Sequence, residues 1–205
     1  MSAERLGPFL LRQPPGVFPL GEDALRLAAF ATVRRSWKVC DLGTGSGCLL
    51  LLLSGRATGL DLYGVELDPT AARAARDNLM ENGLGGTVWT GDWNTLPGGT
   101  GPFDLVVSNP PYFAQGSGAS GGPARMEGRD GLESLCRTAA RLTRNGGRFA
   151  LCHRPERLAD VVCTLRACRL EPKRMRLIAH SPAHPPALLL MEGVKQGRPG
   201  LAIEL

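Results

Sequence analysis

The six cysteines of this chain include no CxxC motif and no pairing with histidine at zinc-ligand spacing, and the sequence leads us to expect no signal peptide. This pattern predicts reduced thiols in a cytoplasmic protein that has no metal site. The longest apolar run, CLLLLL at 48–53, is far shorter than the ~20 residues that a bilayer span needs. We therefore expect no membrane segment. The sequence also lacks internal repeats, and nothing in it calls for an obligate protein partner.

Acidic residues are not in excess, because 24 Lys and Arg stand against 19 Asp and Glu for a net charge of +5. The charge is uneven along the chain: residues 41–133 hold 11 acidic and 5 basic side chains, whereas residues 137–176 hold 11 basic and 3 acidic ones. A basic cluster of this kind forms either a solvated helix face or a surface for nucleic acid. A length of 205 residues with 43% hydrophobic content favours one domain with a sizeable core.

Short apolar runs alternate with longer segments at helical spacing, which is typical of parallel strands joined by crossover helices. The predicted class is α/β: a seven-stranded, mostly parallel sheet with an antiparallel pair at one edge and helices on both faces. We expect residues 1–36 to form an extension, first extended and then helical over 22–35, that packs on a catalytic domain of 37–205. A flexible loop is predicted at 115–122. The predicted strands are 37–43, 60–67, 86–93, 103–108, 146–153, 173–180 and 187–194.

The stretch DLGTGSG, Asp41 to Gly47, stands where the first strand turns into a helix. Such a turn offers backbone N–H groups and close approach to a nucleotide-like ligand, and its glycines remove the steric barrier. A dinucleotide fingerprint needs Gly or Ala where Cys48 stands, which disfavours an NAD site. Asp41 suits a cationic ligand or an amine better than a pyrophosphate. A glycine turn with a purely conformational role is the alternative.

Two further strands end in acidic residues at the same predicted edge of the sheet. Glu66 closes the second strand about twenty residues after the glycines, where a carboxylate can accept hydrogen bonds from both ribose hydroxyls of an adenosine group. Asp92 closes the third strand and can accept from an adenine amine, while Trp93 packs on or near the ring. The alternatives are an exposed loop acid at Glu66 and an ordinary turn aspartate at Asp92.

The fourth strand, FDLVVS at 103–108, delivers Asn109-Pro110-Pro111-Tyr112 to that edge. Two prolines fix φ and stiffen the loop. The side-chain oxygen of Asn109 and the carbonyl of Pro110 can then serve as two fixed acceptors for one –NH₂ group. Holding both hydrogens aims the nitrogen lone pair at an electrophile, and Tyr112 offers a flat face for stacking. No general base of high pKa is needed, because the proton becomes acidic only after alkylation.

These motifs resemble the signatures of S-adenosylmethionine-dependent amino methyltransferases of the Rossmann-like class I, in which D/E-x-G-x-G-x-G is paired with [DNS]-P-P-[YFW]. The flanking stretches FPLGEDALRLAAF, ARMEGRDGLESL and HRPERLADVV resemble the bacterial tRNA1(Val) adenine N6-methyltransferase family, and the resemblance runs over nearly the whole chain. It implies S-adenosyl-L-methionine as cofactor, no metal, and methylation of the N6 amine of the adenosine just 3′ of the anticodon in a valine tRNA. Such a base lies in a loop and is splayed out at low cost.

The resemblance also implies roles for individual residues. Phosphate contacts by the basic ones would make binding of the tRNA, or of another structured RNA, fall steeply with salt. The implied cofactor-binding residues are Asp41, Gly43, Thr44, Gly45, Gly47, Glu66, Asp92, Trp93 and Asn109. The implied catalytic residues are Asn109, Pro110, Pro111 and Tyr112. The implied substrate-binding residues are Tyr112, Phe113, Arg125, Arg129, Arg154, Arg157, Lys173, Arg174 and Arg176.

Other functions stay open. One alternative is a protein glutamine N5-methyltransferase acting on release factors, because a glutamine side-chain amide offers the same –NH₂ to an NPPY loop. Such enzymes normally carry an additional amino-terminal helical domain. An rRNA guanine N2 amine is another possible acceptor. A catalytically idle Rossmann-like RNA-binding module would keep the basic face but could tolerate changes at Asp41, Asn109 or Pro110, all of which are intact. The chain is short before Phe9 and ends soon after GRPGL, which leaves the particular tRNA open.

Overall fold

The computed structural model describes residues 2–17, 19–110, 129–179, 181 and 183–204, without the side chains of 129 and 130. The predicted flexible loop at 115–122 lies outside the described residues. None of the helices in these ranges is long and apolar enough to cross a membrane. The strands are β1 (Ser2–Leu6), β2 (Phe9–Gln13), β3 (Lys38–Leu42), β4 (Asp61–Glu66), β5 (Gly86–Thr90), β6 (Phe103–Ser108), β7 (Thr143–His153), β8 (Leu170–Ile178), β9 (Leu188–Lys195) and β10 (Ala202–Glu204). The α-helices are α1 (Glu22–Phe30), α2 (Cys48–Ser54), α3 (Pro69–Glu81), α4 (Arg129–Leu142) and α5 (Leu158–Ala167).

Within the described residues, eight strands form the main sheet, in the order β10-β8-β9-β7-β6-β3-β4-β5. The α/β class and the mostly parallel sheet are confirmed, and β9 alone runs antiparallel to both of its neighbours. The count of seven was wrong, because residues 202–204 add a short parallel strand to β8. For the same reason the antiparallel pair β8–β9 does not itself close the sheet. A three-residue strand carries too little alternation to be detected by pattern.

The two faces of the sheet carry separate hydrophobic clusters, because side chains alternate along each strand. Val39 of β3 belongs to the cluster that covers α1, α2 and α3, whereas its neighbour Cys40 belongs to the cluster under α4 and α5. The leucine run of α2 is buried against the first face. The prediction of helices on both faces is therefore confirmed.

The amino-terminal segment differs from its prediction in two ways. The stretch expected to be merely extended contains a hairpin, β1–β2, whose Leu11 is fully buried in the first cluster. Helix α1 ends at Phe30 instead of continuing to residue 35. Its end has a physical cause, because the Thr32 N–H donates to the buried carboxylate of Glu192 at 2.7 Å rather than to a helix carbonyl. A helical pattern cannot reveal a competing acceptor 160 residues away.

Candidate active site

The carboxyl ends of four neighbouring parallel strands meet at one edge of the sheet. In the register, Asp41 of β3 lies beside Val107 of β6, Leu42 lies beside Val65 of β4, and Glu66 lies beside Thr90 of β5. The chain segments that leave these strands, together with the segment after β7, form what we call the rim: residues 43–47, 67–68, 91–93, 109–110 and 154–157. Residues 43–47, which we call the glycine turn, and Asn109 thus follow adjacent strands, which lie about 4.8 Å apart.

The glycine turn is held against β4 by its own backbone. The N–H groups of Gly43 and Thr44 donate to the Val65 carbonyl at 2.8 and 3.0 Å. All three glycines of the turn have positive φ, at 78°, 55° and 83° for Gly43, Gly45 and Gly47. A Cβ on Gly43 would lie 3.7 Å from the Trp93 ring. The predicted glycines and Trp93 therefore converge on one small region.

Asp41 is buried to 1% exposure at the end of β3. Among the described residues, neither of its carboxylate oxygens has a hydrogen-bond partner of acceptable geometry, and the same holds for the Thr44 hydroxyl. Burial raises the pKa of Asp41 to about 7, the nearby Thr44 side chain opposes that rise, and the negative charge of Glu66 adds to it. A buried carboxylate without a full set of partners costs stability, so this position is suited to a ligand that supplies a donor or a positive charge.

Glu66 is fixed by two backbone donors. Its Oε2 accepts from the Gly45 N–H at 2.8 Å and its Oε1 accepts from the Asp68 N–H at 2.9 Å. Each carboxylate oxygen keeps a further lone pair, so Glu66 can still accept from ribose hydroxyls. The next residue, Leu67, is a large apolar side chain with 48% exposure at the rim. Sequence reasoning missed Leu67, although an apolar residue between two acids was a usable signal.

Asp92 and Trp93 follow β5 as predicted, but Asp92 already has a structural task. Its Oδ1 accepts from the backbone N–H of Asn94 at 2.8 Å and so caps the short 3-10 helix Trp93–Thr95. Asp92 is exposed, and Trp93 is half-buried with its Nε1 3.4 Å from the Ser134 hydroxyl. The alternative of an ordinary turn aspartate therefore describes at least part of what Asp92 does.

Asn109 emerges half-buried directly after β6. The preceding Ser108 hydroxyl donates to the Leu42 carbonyl at 2.7 Å, which locks the ends of β6 and β3 together. The Asn109 Oδ1 accepts from the Cys152 thiol of β7 at 2.9 Å. An amide oxygen has two lone pairs and can accept from more than one donor. Cys152 had been predicted only as an unligated thiol, and nothing in the sequence linked it to Asn109.

His153 is a buried residue next to the rim that sequence reasoning did not single out. It ends β7 one position beyond Cys152, and its Nδ1 accepts from the Arg154 N–H at 2.9 Å. Burial lowers the pKa of His153 to about 4, and the positive charges of Arg157 and Arg154 act in the same direction. The ring is neutral near pH 7, and its proton resides on Nε2.

The predicted phosphate contacts divide into two groups by position. Arg154 and Arg157 stand on the rim, and Arg157 pairs with Asp160 at 2.5 Å. Arg174 and Arg176 lie on β8 and both pair with Glu204, while Arg174 also donates to the Phe30 carbonyl at 3.0 Å. Lys173 lies further from the rim, and its Nζ is 3.2 Å from the Arg198 carbonyl. Arg157, Arg174 and Arg176 all have acidic partners, so the two groups differ in their position relative to the rim.

Several predicted site residues fall outside the described part of the chain: Pro111, Tyr112, Phe113, Arg125 and the side chain of Arg129. Within the described ranges no group of three or more His, Cys, Asp or Glu is placed to hold a metal ion.

A substitution at Gly47 tests directly how closely the glycine turn packs on α3. Gly47 has a φ of 83°, and an added Cβ would lie 3.3 Å from the Ala75 Cα of α3. We expect Gly47→Ala to lower the free energy of unfolding by about 2 to 4 kcal/mol, because left-handed backbone strain and overpacking add. Gly83→Ala is the matched control, since Gly83 has a φ of 68° with nothing within 4 Å of the added atom. Urea midpoints at constant m-value measure both, and equal losses would refute the close packing.

The residues that build the fold and the rim match the model of a known protein family. The model of the methyltransferase small domain matches residues 11–155, more than half of the 205 residues. The chain therefore belongs to the methyltransferase small domain family.

The curated relatives of the chain include bacterial enzymes named tRNA1(Val) (adenine(37)-N6)-methyltransferase. One from Aeromonas hydrophila is 36% identical over 72% of this chain and 64% of the relative. Another, from Porphyromonas gingivalis, is 31% identical over 84% of this chain and 73% of the relative. Across such relatives the match spans from 41% to 75% of their own length. In fold, the chain is similar to a Thermus thermophilus 16S rRNA N2 methyltransferase solved with AdoMet and guanosine, with TM-score 0.69, 22% identity, and coverage of 95% of this chain and 50% of that one.

Proposed function

We propose that this chain transfers a methyl group from S-adenosyl-L-methionine to the exocyclic N6 amine of an adenosine beside the anticodon of a tRNA, with a valine tRNA as the particular substrate. The observation that carries the proposal is the register of β3 and β6. It supports a cofactor site at the glycine turn and an amine site at Asn109 and Pro110 that lie side by side on the rim. The name shared by the curated relatives supports the choice of acceptor.

The proposed cofactor site suits S-adenosylmethionine in charge and in shape. The buried carboxylate of Asp41 suits a ligand that carries an ammonium and a sulfonium. Gly43, Gly45 and Gly47 have no side chains to obstruct a ligand, and their positive φ values favour glycine at each position. Glu66 would accept from the ribose hydroxyls, Leu67 and Trp93 would line the adenine, and Asp92 would accept from its amine. Thr44 would contribute its hydroxyl and its backbone to the same turn.

In the proposed reaction, the protein acts by positioning. S-adenosylmethionine supplies an electrophilic methyl group; the carbon–sulfur bond breaks as the nitrogen–carbon bond forms, and S-adenosylhomocysteine leaves. The Asn109 Oδ1 and the Pro110 carbonyl accept hydrogen bonds from the two amine hydrogens, which fixes the nitrogen lone pair toward the methyl carbon. The methylated nitrogen then releases its proton to solvent. By family resemblance, Pro111 stiffens the turn and Tyr112 or Phe113 stacks on the base.

The proposed RNA surface begins at Arg154 and Arg157, which stand beside the amine site. Arg125 and Arg129 are proposed phosphate contacts on sequence grounds, whereas Lys173, Arg174 and Arg176 would be reached only by a more distant part of the tRNA. We further propose that residues 37–205 form the catalytic domain with 1–36 packed on it, and that the protein needs no metal and works in the cytoplasm.

Salt dependence tests the position of that surface. We expect Arg157→Ala to reduce the slope of log K for tRNA against log salt by about 0.7 to 1, because one phosphate contact is lost. Lys38→Ala removes the same charge from the amino end of β3, at the opposite edge of the sheet from the rim, and should leave the slope nearly unchanged. Fluorescence anisotropy with labelled tRNA between 50 and 200 mM salt, roughly the range over which such contacts are lost, measures both slopes. Identical slopes for all three proteins would show that Arg157 is solvated surface.

The acceptor itself is tested by labelling. The protein is incubated with radiolabelled S-adenosylmethionine and, separately, with total tRNA, rRNA and release factor, and the products are digested to nucleosides or amino acids. The proposal expects label in N6-methyladenosine from tRNA. Label in methylglutamine or in N2-methylguanosine would replace the proposed acceptor with one of the alternatives, and no label in any of them would favour the idle RNA-binding module.

A further inference from the structure

Asn78 is a polar residue in the buried stripe of α3. The stripe otherwise consists of alanines and Leu79, yet Asn78 is only 1% exposed. Its Oδ1 accepts from the Arg12 N–H of β2 at 2.9 Å, and its Nδ2 donates to the Arg12 carbonyl at 2.9 Å and to the Ser46 carbonyl at 2.8 Å. Both amide hydrogens are thus committed, one to the hairpin and one to the glycine turn.

A second contact between α3 and the glycine turn lies one helical turn before Asn78, at Ala75. Gly47 packs so closely on Ala75 that a Cβ there would lie 3.3 Å from the Ala75 Cα. α3 therefore holds the glycine turn at two successive residues, by van der Waals contact at Gly47 and by a buried hydrogen bond at Ser46. The Ser46 carbonyl has its direction fixed by a side chain that is itself fixed by β2.

Asn82 offers a close structural match without the contact to the turn. Its Oδ1 accepts from the Leu10 N–H at 2.8 Å, and its Nδ2 donates to the Leu10 carbonyl at 2.8 Å and to the Asn78 carbonyl of its own helix at 2.7 Å. Asn78 and Asn82 stand four residues apart, so they grip alternate residues of β2 from one helix face. They differ in the third hydrogen bond, which only Asn78 makes to the glycine turn.

We propose that Asn78 is a positioning residue for the cofactor, and that the amino-terminal hairpin acts on the cofactor site through it. This inference rests on the proposed function, because it takes the glycine turn as the binding site of S-adenosylmethionine. With Asn78 removed, the Ser46 carbonyl loses its buried donor and the turn samples orientations that do not fit the ligand. The amide of Asn78 touches no substrate and takes no part in the chemistry.

The test compares Asn78→Ala with Asn82→Ala in the full chain. Both variants lose two hydrogen bonds to β2, so both should lower the melting temperature to a similar extent. Only Asn78→Ala should weaken S-adenosylmethionine binding, by about tenfold in calorimetry, since one buried hydrogen bond is lost on the cofactor side. Amide hydrogen exchange at residues 43–47 should be faster in Asn78→Ala alone. Should that variant fail to fold, the pair Asn78→Ser and Asn82→Ser gives the same comparison.

Each outcome has a distinct meaning. Unchanged cofactor affinity in the Asn78 variant, or equal weakening in both variants, would overturn the positioning role while leaving the proposed function intact. If the unmodified protein did not bind S-adenosylmethionine at all, the proposed function would fall. Hydrogen exchange at 43–47 would still show whether Asn78 holds the turn.

Discussion

Asn109→Ala should lower the turnover number by about 10² to 10³-fold, which is the usual scale for losing one preorganised polar group. The affinity for S-adenosylmethionine should change much less. Asn109 would hold the amine through its Oδ1, and this oxygen is already oriented by the Cys152 thiol at 2.9 Å. Without the Asn109 Oδ1, the amine nitrogen keeps one acceptor, the Pro110 carbonyl. The nitrogen lone pair is then no longer held toward the methyl carbon. Single-turnover kinetics with saturating cofactor and tRNA measure the effect.

Asn145→Ala is the matched control for this change. Asn145 is exposed near the amino end of β7, at the opposite edge of the sheet from Asn109. The same substitution at Asn145 should leave the turnover number within a factor of about two of wild type, since substitutions at exposed sites away from structural features have little effect. A fully active Asn109→Ala protein would remove Asn109 from the chemistry.

Asp41→Asn should weaken S-adenosylmethionine binding by about 10- to 100-fold, the scale of a lost hydrogen bond to a charged group. The carboxylate that binds the cation is the ionised one. Since burial raises the pKa of Asp41 to about 7, the affinity of the unmodified protein should rise as pH increases from 6 to 8, and that of the Asn variant should not. Titration calorimetry across this pH range checks both statements.

The same pKa shift predicts an opposite effect on the stability of the free protein. The folded-state pKa of Asp41 lies above the usual value of 3.8, so the folded state binds more protons than the unfolded state between these values. The contribution of this carboxyl to stability therefore falls as pH rises from about 4 to about 7 and then stays constant. A shift of this size corresponds to at most about 4 kcal/mol. Asp41→Asn should make the free protein progressively more stable than wild type over that window.

Two controls isolate this effect. The low pKa of His153 makes stability change in the reverse direction at acid pH, but it cancels when the two proteins are compared at each pH. Asp61→Asn makes the same chemical change on the exposed amino end of β4, where the removal of one surface charge has little effect. A constant difference in stability between wild type and Asp41→Asn from pH 4 to 8 would show that Asp41 is not strained by burial.

The strand ends of this protein were predictable because three local signals agree there: an apolar run, a residue that breaks it, and a polar side chain that needs a partner. Asp41, Glu66 and Asn109 each end such a run, and parallel strands bring their ends to one edge. The glycine spacing restricted what the turn could bind. These features depend on a few consecutive residues, so they can be predicted without knowledge of the fold.

The rest depends on partners that are distant in sequence. Arg174 was predicted to contact phosphate, yet it donates to Glu204 and to the end of α1, because β10 and Phe30 come to lie beside β8. The sequence pattern predicts only an extended segment at the hairpin, since the hydrogen bonds of the hairpin to Asn78 and Asn82 cross more than 60 residues. One signal was present in the sequence: Asn78 falls on the buried stripe of an alanine-rich helix, and a buried amide has to find partners.

The most direct test of the account is a crystal structure of this protein with S-adenosylhomocysteine and an adenosine-containing anticodon-loop RNA. We expect the adenine N6 to lie about 2.7 to 3.2 Å from the Asn109 Oδ1, with the nitrogen about 3 to 3.5 Å from where the methyl carbon would stand on the cofactor sulfur. A cofactor bound away from residues 43–47, or an adenine amine well beyond hydrogen-bond distance of Asn109, would contradict it.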